Sequence, residues 1–158
     1  MEPVDGDDED EPGTRPMTTA VALSDDGSSI GEARDLVTDF LRRAGTDHGV
    51  AVSARAADLA RLVVSELVTN ARRHAPGPLG MELRITGDAV EVTVRDTARV
   101  ELVARPGDPR RVGRHGLEIV MAVVQAFQVR LEPTGKSVTA RIALGDGVRR
   151  TDAPPGAP

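Results

Sequence analysis

Glu66 and Asn70 are a carboxylate and an amide four residues apart, within residues 53–75, SARAADLARLVVSELVTNARRHA. A single helix over this stretch advances about 100° per residue, so the two side chains lie on one side, one turn apart. Leu59, Ala60, Val63, Val64, Leu67 and Ala71 sweep out its apolar arc, and Asp58, Arg61, Ser65, Thr69 and Arg72 hold the other face. Asn70 falls inside the apolar arc and Glu66 at its edge. Buried without partners, such groups would cost on the order of 2 kcal/mol or more. Either a neighbouring strand supplies a structural hydrogen bond, or a pocket holds a ligand or metal that completes them.

Further along, Asp96 ends an alternating strand. Residues 97–112 follow without clear periodicity, carrying Arg99, Arg105, Arg110 and Arg111. A connection that long inside a compact domain is uncommon and tends to be functional, and it reads as a mobile lid whose arginines help neutralise an anion. Gly113, Arg114, His115 and Gly116 (GRHG) then open a helix at Leu117. Unencumbered amides at the positive end of a helix suit phosphate, although GRHG alone also fits an ordinary tight turn. Arg114, inside this box, is the first arginine expected to meet such an anion. His48, His74 and His115 lie far apart and lack metal-binding spacing of the HExxH kind, so no histidine metal site is expected.

The elements that must position these residues follow from patterning. Residues 18–23 (TTAVAL) form a short first or edge strand. Ser29 and Glu32 make a capping box for a helix reaching Ala44, with Ile30, Ala33, Val37, Phe40, Leu41 and Ala44 on its buried stripe. Ser53 caps the second helix and HAPGP ends it. Strands at 79–86 and 89–95 are joined by a tight turn at Gly87 and Asp88, a helix covers 117–126, and strands at 128–132 and 137–144 surround a turn at Thr134 and Gly135. Hairpin-linked strands with helices on one face predict an α+β two-layer sandwich, with a mixed, mostly antiparallel sheet.

With 158 residues the chain suits one domain, placed at 17–145 between acidic and Gly/Pro-rich tails at 1–16 and 146–158 that are expected to be disordered. Without cysteine there is no disulfide framework and no thiolate chemistry. Seven of the 25 acids lie within residues 1–11, so the remaining 18 nearly balance 20 Lys and Arg. No dense basic stripe with stacking aromatics suggests nucleic acid, and no apolar run approaches a membrane span. The cytoplasm is the expected location.

ELVTNARRHA on a helix, Asp96 at a strand end, a basic lid, GRHGL opening a helix and GKSV in the last strand together form a series that resembles the GHKL ATPase superfamily, with its Bergerat histidine kinase-like nucleotide-binding fold. The likeness is greater to stand-alone actinobacterial anti-sigma factor serine kinases, and it spans about residues 18–144. The resemblance implies ATP and magnesium as ligands. Asn70 would ligate the magnesium ion, with the adjoining Ala71 in the same motif, and Glu66 would be the general base. Asp96 would accept a hydrogen bond from the adenine amino group. Gly113, Arg114, His115, Gly116 and Leu117 would cradle the phosphates.

The family often has a glycine two residues past its aspartate, where this chain has Ala98, and a hydroxyl near the adenine, for which Ser137 or Thr139 would stand in. By resemblance the chain is a serine/threonine protein kinase that sequesters a sigma factor and phosphorylates an anti-anti-sigma, STAS-type partner. A homodimer is common among such relatives. A non-catalytic, nucleotide-responsive binding module in a partner-switching pathway is the alternative, and Ala98 favours it.

Overall fold

The computed structural model describes residues 17–24, 26–74, 77–97 and 114–145. The expected tails, Ala98 and the lid beyond Thr97 lie outside these residues. Described in chain order are β1 (Met17–Leu23), α1 (Ser29–His48), α2 (Ala54–His74), β2 (Leu79–Thr86), β3 (Ala89–Asp96), α3 (Arg114–Val123), β4 (Ala126–Glu132) and β5 (Gly135–Ala143). The strands form one five-stranded sheet in the order β1-β2-β3-β5-β4. The chain is α+β, with its helices packed on one face of the sheet.

Among the described residues all four strand pairings are antiparallel, which corrects the expectation of a mixed, mostly antiparallel sheet. α1 and α2 return the chain to the end where β1 stopped, so β2 leaves in the opposite direction. α3 carries the chain back past β3, so β4 runs in the same sense as β3. That pair would have been parallel, but β5 inserts between them by a hairpin from β4 and pairs antiparallel with both.

Alternation decides which face is buried. Val90, Val92 and Val94 of β3, Leu79, Met81, Leu83 and Ile85 of β2, and Val138, Ala140 and Ile142 of β5 point towards the helices. They meet Val37, Phe40 and Leu41 of α1, and Val63, Val64, Leu67 and Val68 of α2. Glu91, Thr93 and Arg95 occupy the opposite face, where Arg141 Nη1 is 3.1 Å from Glu91 and the Thr93 and Thr139 hydroxyls are 2.8 Å apart.

The helix starts differ in part from expectation. Ser53 caps α2 as predicted, its Oγ accepting the Ala56 amide at 2.9 Å. At α1 the reciprocal box of Ser29 and Glu32 does not form. Ser28 holds the cap position, and the Glu32 carboxylate instead accepts the amide of Ser24 at 2.9 Å and its hydroxyl at 2.6 Å. Those two donors favour the ionised form and hold the Glu32 carboxyl below its ordinary value. Ser29 is the first helical residue and is buried, with its Oγ accepting Arg72 Nε at 3.2 Å. α1 also continues past Ala44 to His48, because Gly49 at φ 67° adopts the left-handed cap and its amide returns to the Ala44 carbonyl.

Candidate functional site

Chain continuity gathers the candidate residues at one end of the sheet. α2 ends at His74, and β2 begins five residues later at Leu79, which pairs with Asp96, which in turn pairs with Lys136. Asn70, one turn before the end of α2, therefore lies towards the end of the sheet that bears Asp96. Arg55, Ala56 and Leu59 at the start of α2 share a cleft of about 160 Å³ with residues 122–125 at the finish of α3. The two helices are thus antiparallel, and the first turn of α3 points back towards Asp96.

Asn70 is buried, with 9% of its surface exposed, and its side chain has no hydrogen-bond partner among the described residues. Glu66 is half-buried and likewise unpartnered among them. Of the two explanations left open by the sequence, the bond to a neighbouring strand is not made here. An unsatisfied buried amide costs about 1–3 kcal/mol, and a ligand that donates to its oxygen, or a cation that the oxygen coordinates, offsets that penalty. A magnesium ion fits this donor, because magnesium takes oxygen ligands and keeps most of its shell as water and phosphate. Among the described residues, no group of three or more His, Cys, Asp or Glu could hold a metal ion without such help.

Asp96 is the inward-facing last residue of β3, 6% exposed, and its Oδ2 is 3.8 Å from Lys136 Nζ. Gly135, next to Lys136, passes so close that a Cβ there would lie 1.9 Å from the Asp96 carbonyl oxygen. Only a residue without a side chain lets β5 hold the end of β3 in this position. Behind the site, Arg72 ties three segments together. Its guanidinium donates to the carbonyls of Ser24 and Gly77 as well as to Ser29 Oγ, and so joins the end of β1, the start of α1 and the chain leading into β2.

The remaining candidates fall into three groups. Ala71 is 5% exposed and belongs to the core, and the Leu117 side chain packs against that core. Arg114, His115 and Gly116 form the first turn of α3 rather than a loop ahead of a helix at Leu117, so the amides of residues 114–117 are those with no partner inside the helix. The side chains of Arg114 and His115, and all of Gly113, lie outside the described residues.

Ser137 and Thr139 do not stand beside Asp96. Their register partners are Arg95 and Thr93, on the face away from the helices, where Ser137 Oγ lies 3.4 Å from Glu132 and Thr139 meets Thr93. The residue that faces Asp96 is Lys136, which sequence reasoning missed. Period-two alternation was the available signal, since Lys136 is in phase with the inward-facing Val138, Ala140 and Ile142.

A model of the histidine kinase-like ATPase domain matches residues 23–142, from the last residue of β1 nearly to the end of β5. The chain belongs to this family. No curated protein matches the chain. As a histidine kinase-like ATPase domain, the fold is an ATP-binding one, and the end of the sheet that collects Asn70, Glu66, Asp96 and the start of α3 is its candidate nucleotide site. Among the described residues no helix is long and apolar enough to cross a membrane.

Proposed function

We propose that this histidine kinase-like ATPase is a serine/threonine protein kinase of the anti-sigma type. It holds a sigma factor and phosphorylates an anti-anti-sigma, STAS-type partner. The observation that carries the reading is the pair of Glu66 and buried Asn70, unpartnered among the described residues and one helical turn apart at the Asp96 end of the sheet.

In this reading Asp96 accepts a hydrogen bond from the adenine amino group, and the free amides of the first turn of α3 receive the phosphates. Asn70 holds the magnesium ion, which when bound offsets the negative charge of the phosphates. Glu66 accepts the proton of the attacking serine or threonine hydroxyl as its oxygen bonds to the γ-phosphorus. The bond from that phosphorus to the β–γ bridging oxygen breaks, and ADP leaves with the electron pair. Arg72 touches none of the reacting groups and keeps the end of α2 in register with β1 and β2.

The Asp96–Lys136 ion pair favours a second reading, a nucleotide-responsive module without transfer, because the base must engage a carboxylate already paired with an ammonium. Titration with ATP and magnesium, followed by transfer of labelled γ-phosphate to STAS-type proteins, separates the two. Transfer that depends on Glu66 supports the kinase. Tight binding with no transfer to any serine-bearing partner supports the module, and absence of magnesium-dependent ATP binding refutes both. A cytoplasmic location and a homodimer belong to the same proposal, the latter tested by mass in solution.

A further inference from the structure

Across the helix-side face of the sheet, one row of register partners reads Leu79, Asp96, Lys136 and Leu131, from β2, β3, β5 and β4. Asp96 and Lys136 are a hydrogen-bond acceptor and a donor side by side, 3.8 Å apart, with side chains 3% and 12% exposed. Beyond them the edge strand leaves Leu131 and Val129 exposed on the same face, 67% and 50%, as apolar surface. An acceptor, a donor and an adjoining apolar surface form a reader for the edge of a planar heterocycle.

A lone carboxylate discriminates between purines. It accepts from the exocyclic amino group of adenine, and it repels the carbonyl oxygen that guanine presents at the same position. An ammonium beside the carboxylate changes that balance. Guanine offers its carbonyl oxygen next to a ring N–H, so the oxygen can take a proton donor from Lys136 while Asp96 accepts from the ring. Adenine offers the opposite order, an amino group for Asp96 and a ring nitrogen for Lys136, so guanine engages the same pair with its edge turned over relative to adenine. Lys136 has three donors, and one ion pair leaves others to serve a base.

We propose that Lys136 is a specificity-determining residue of the base site, and that it admits guanine nucleotides alongside adenine nucleotides. This rests on the nucleotide-site reading above. The test is calorimetric titration of the full chain with ADP and with GDP, each with magnesium, for the parent, Lys136→Met and Lys136→Arg. The parent binds GDP within roughly tenfold of ADP, and Lys136→Met, which keeps length and removes the donor, weakens GDP relative to ADP by roughly ten- to hundredfold. Lys136→Arg keeps the parent ratio. An unchanged ADP-to-GDP ratio in Lys136→Met, or a parent that binds ADP and rejects GDP, overturns the inference and leaves the adenine site standing. A parent that binds neither nucleotide overturns the site and the inference together. If Lys136→Met fails to melt cooperatively, the ratios of the parent and of Lys136→Arg decide: both within about tenfold support the inference, and either beyond about a hundredfold overturns it.

Discussion

Replacing Gly135 by alanine probes the join between the last strand and the residue that ends β3. A Cβ at Gly135 would lie 1.9 Å from the Asp96 carbonyl oxygen, 2.8 Å from its carbonyl carbon and 2.9 Å from Thr97 Cα. Real Cβ contacts essentially never fall below 3.0 Å, so the nearest atoms must separate by about 1.1 Å. Every one of the three is backbone, and no rotamer change relieves the clash. The φ of +156° adds strain for any residue with a side chain. Overpacking and backbone strain together put the loss of stability at about 2–5 kcal/mol. The same movement displaces Asp96 from its proposed contact with the base, and misplacement by about 1 Å is enough to weaken a positioned interaction by an order of magnitude or more.

Urea unfolding measures the first effect, and calorimetric titration with ATP and magnesium at low temperature, where the variant remains folded, measures the second. Gly87→Ala is the control. Gly87 has φ +60° in the β2–β3 turn but nothing within 4 Å of a Cβ, so it should lose about 1 kcal/mol by strain and keep its nucleotide affinity. A Gly135→Ala protein within about 0.5 kcal/mol of the parent, with unchanged affinity, would refute the claim that this glycine holds Asp96 in place.

Asn70→Ala is expected to abolish the magnesium dependence of ATP binding while the melting temperature holds or rises, because it removes an amide with no partner among the described residues; preserved magnesium dependence removes Asn70 from the site. Glu66→Gln should keep ATP affinity and lose phosphoryl transfer by about 10²- to 10⁴-fold, and equal transfer rates would make Glu66 structural. For Glu32 the folded-state carboxyl titrates below its ordinary value, so its stabilising contribution is present above the unfolded value and is lost as pH falls below about 4 to 5. Glu32→Gln should therefore flatten the acid limb of a plot of denaturation midpoint against pH, and an unchanged limb would show that the Ser24 contacts carry no pH-dependent stability.

The helices and hairpins were legible in the sequence because each is a local pattern. Val90, Val92 and Val94 alternate with polar residues over one short strand, and the Ser53 cap lies three residues from the amide it accepts. α1 was misread at both ends for related reasons. Its starting carboxylate is claimed by Ser24, eight residues away, and its finish depends on the φ that Gly49 adopts. The wholly antiparallel sheet is a property of strand order, and no single strand's sequence states that β5 lies between β3 and β4. Patterning places Arg72 only on the polar face of α2 and says nothing of its partners. Its guanidinium is consumed by the Gly77 carbonyl nearby and by the Ser24 carbonyl and Ser29 hydroxyl, more than forty residues away in sequence.

The same distinction explains why the candidate pair of Glu66 and Asn70 was legible and the Lys136 neighbour of Asp96 was not. Glu66 and Asn70 are related by the geometry of one helix, so spacing alone puts them on one side. Asp96 and Lys136 are related by strand register, and a slip of one residue exchanges every inward side chain for an outward one. Expecting Ser137 or Thr139 there, on the strength of a hydroxyl, is equivalent to assuming the wrong register. Two independent constraints fix the observed one. Val138, Ala140 and Ile142 must face the helices to be buried, and Gly135 alone can pass the Asp96 carbonyl at the distance seen. Both place Lys136 against Asp96. The proposed base site therefore carries a cation by the same packing that forms the core, and moving that charge away would require turning three buried apolar residues of β5 out to solvent.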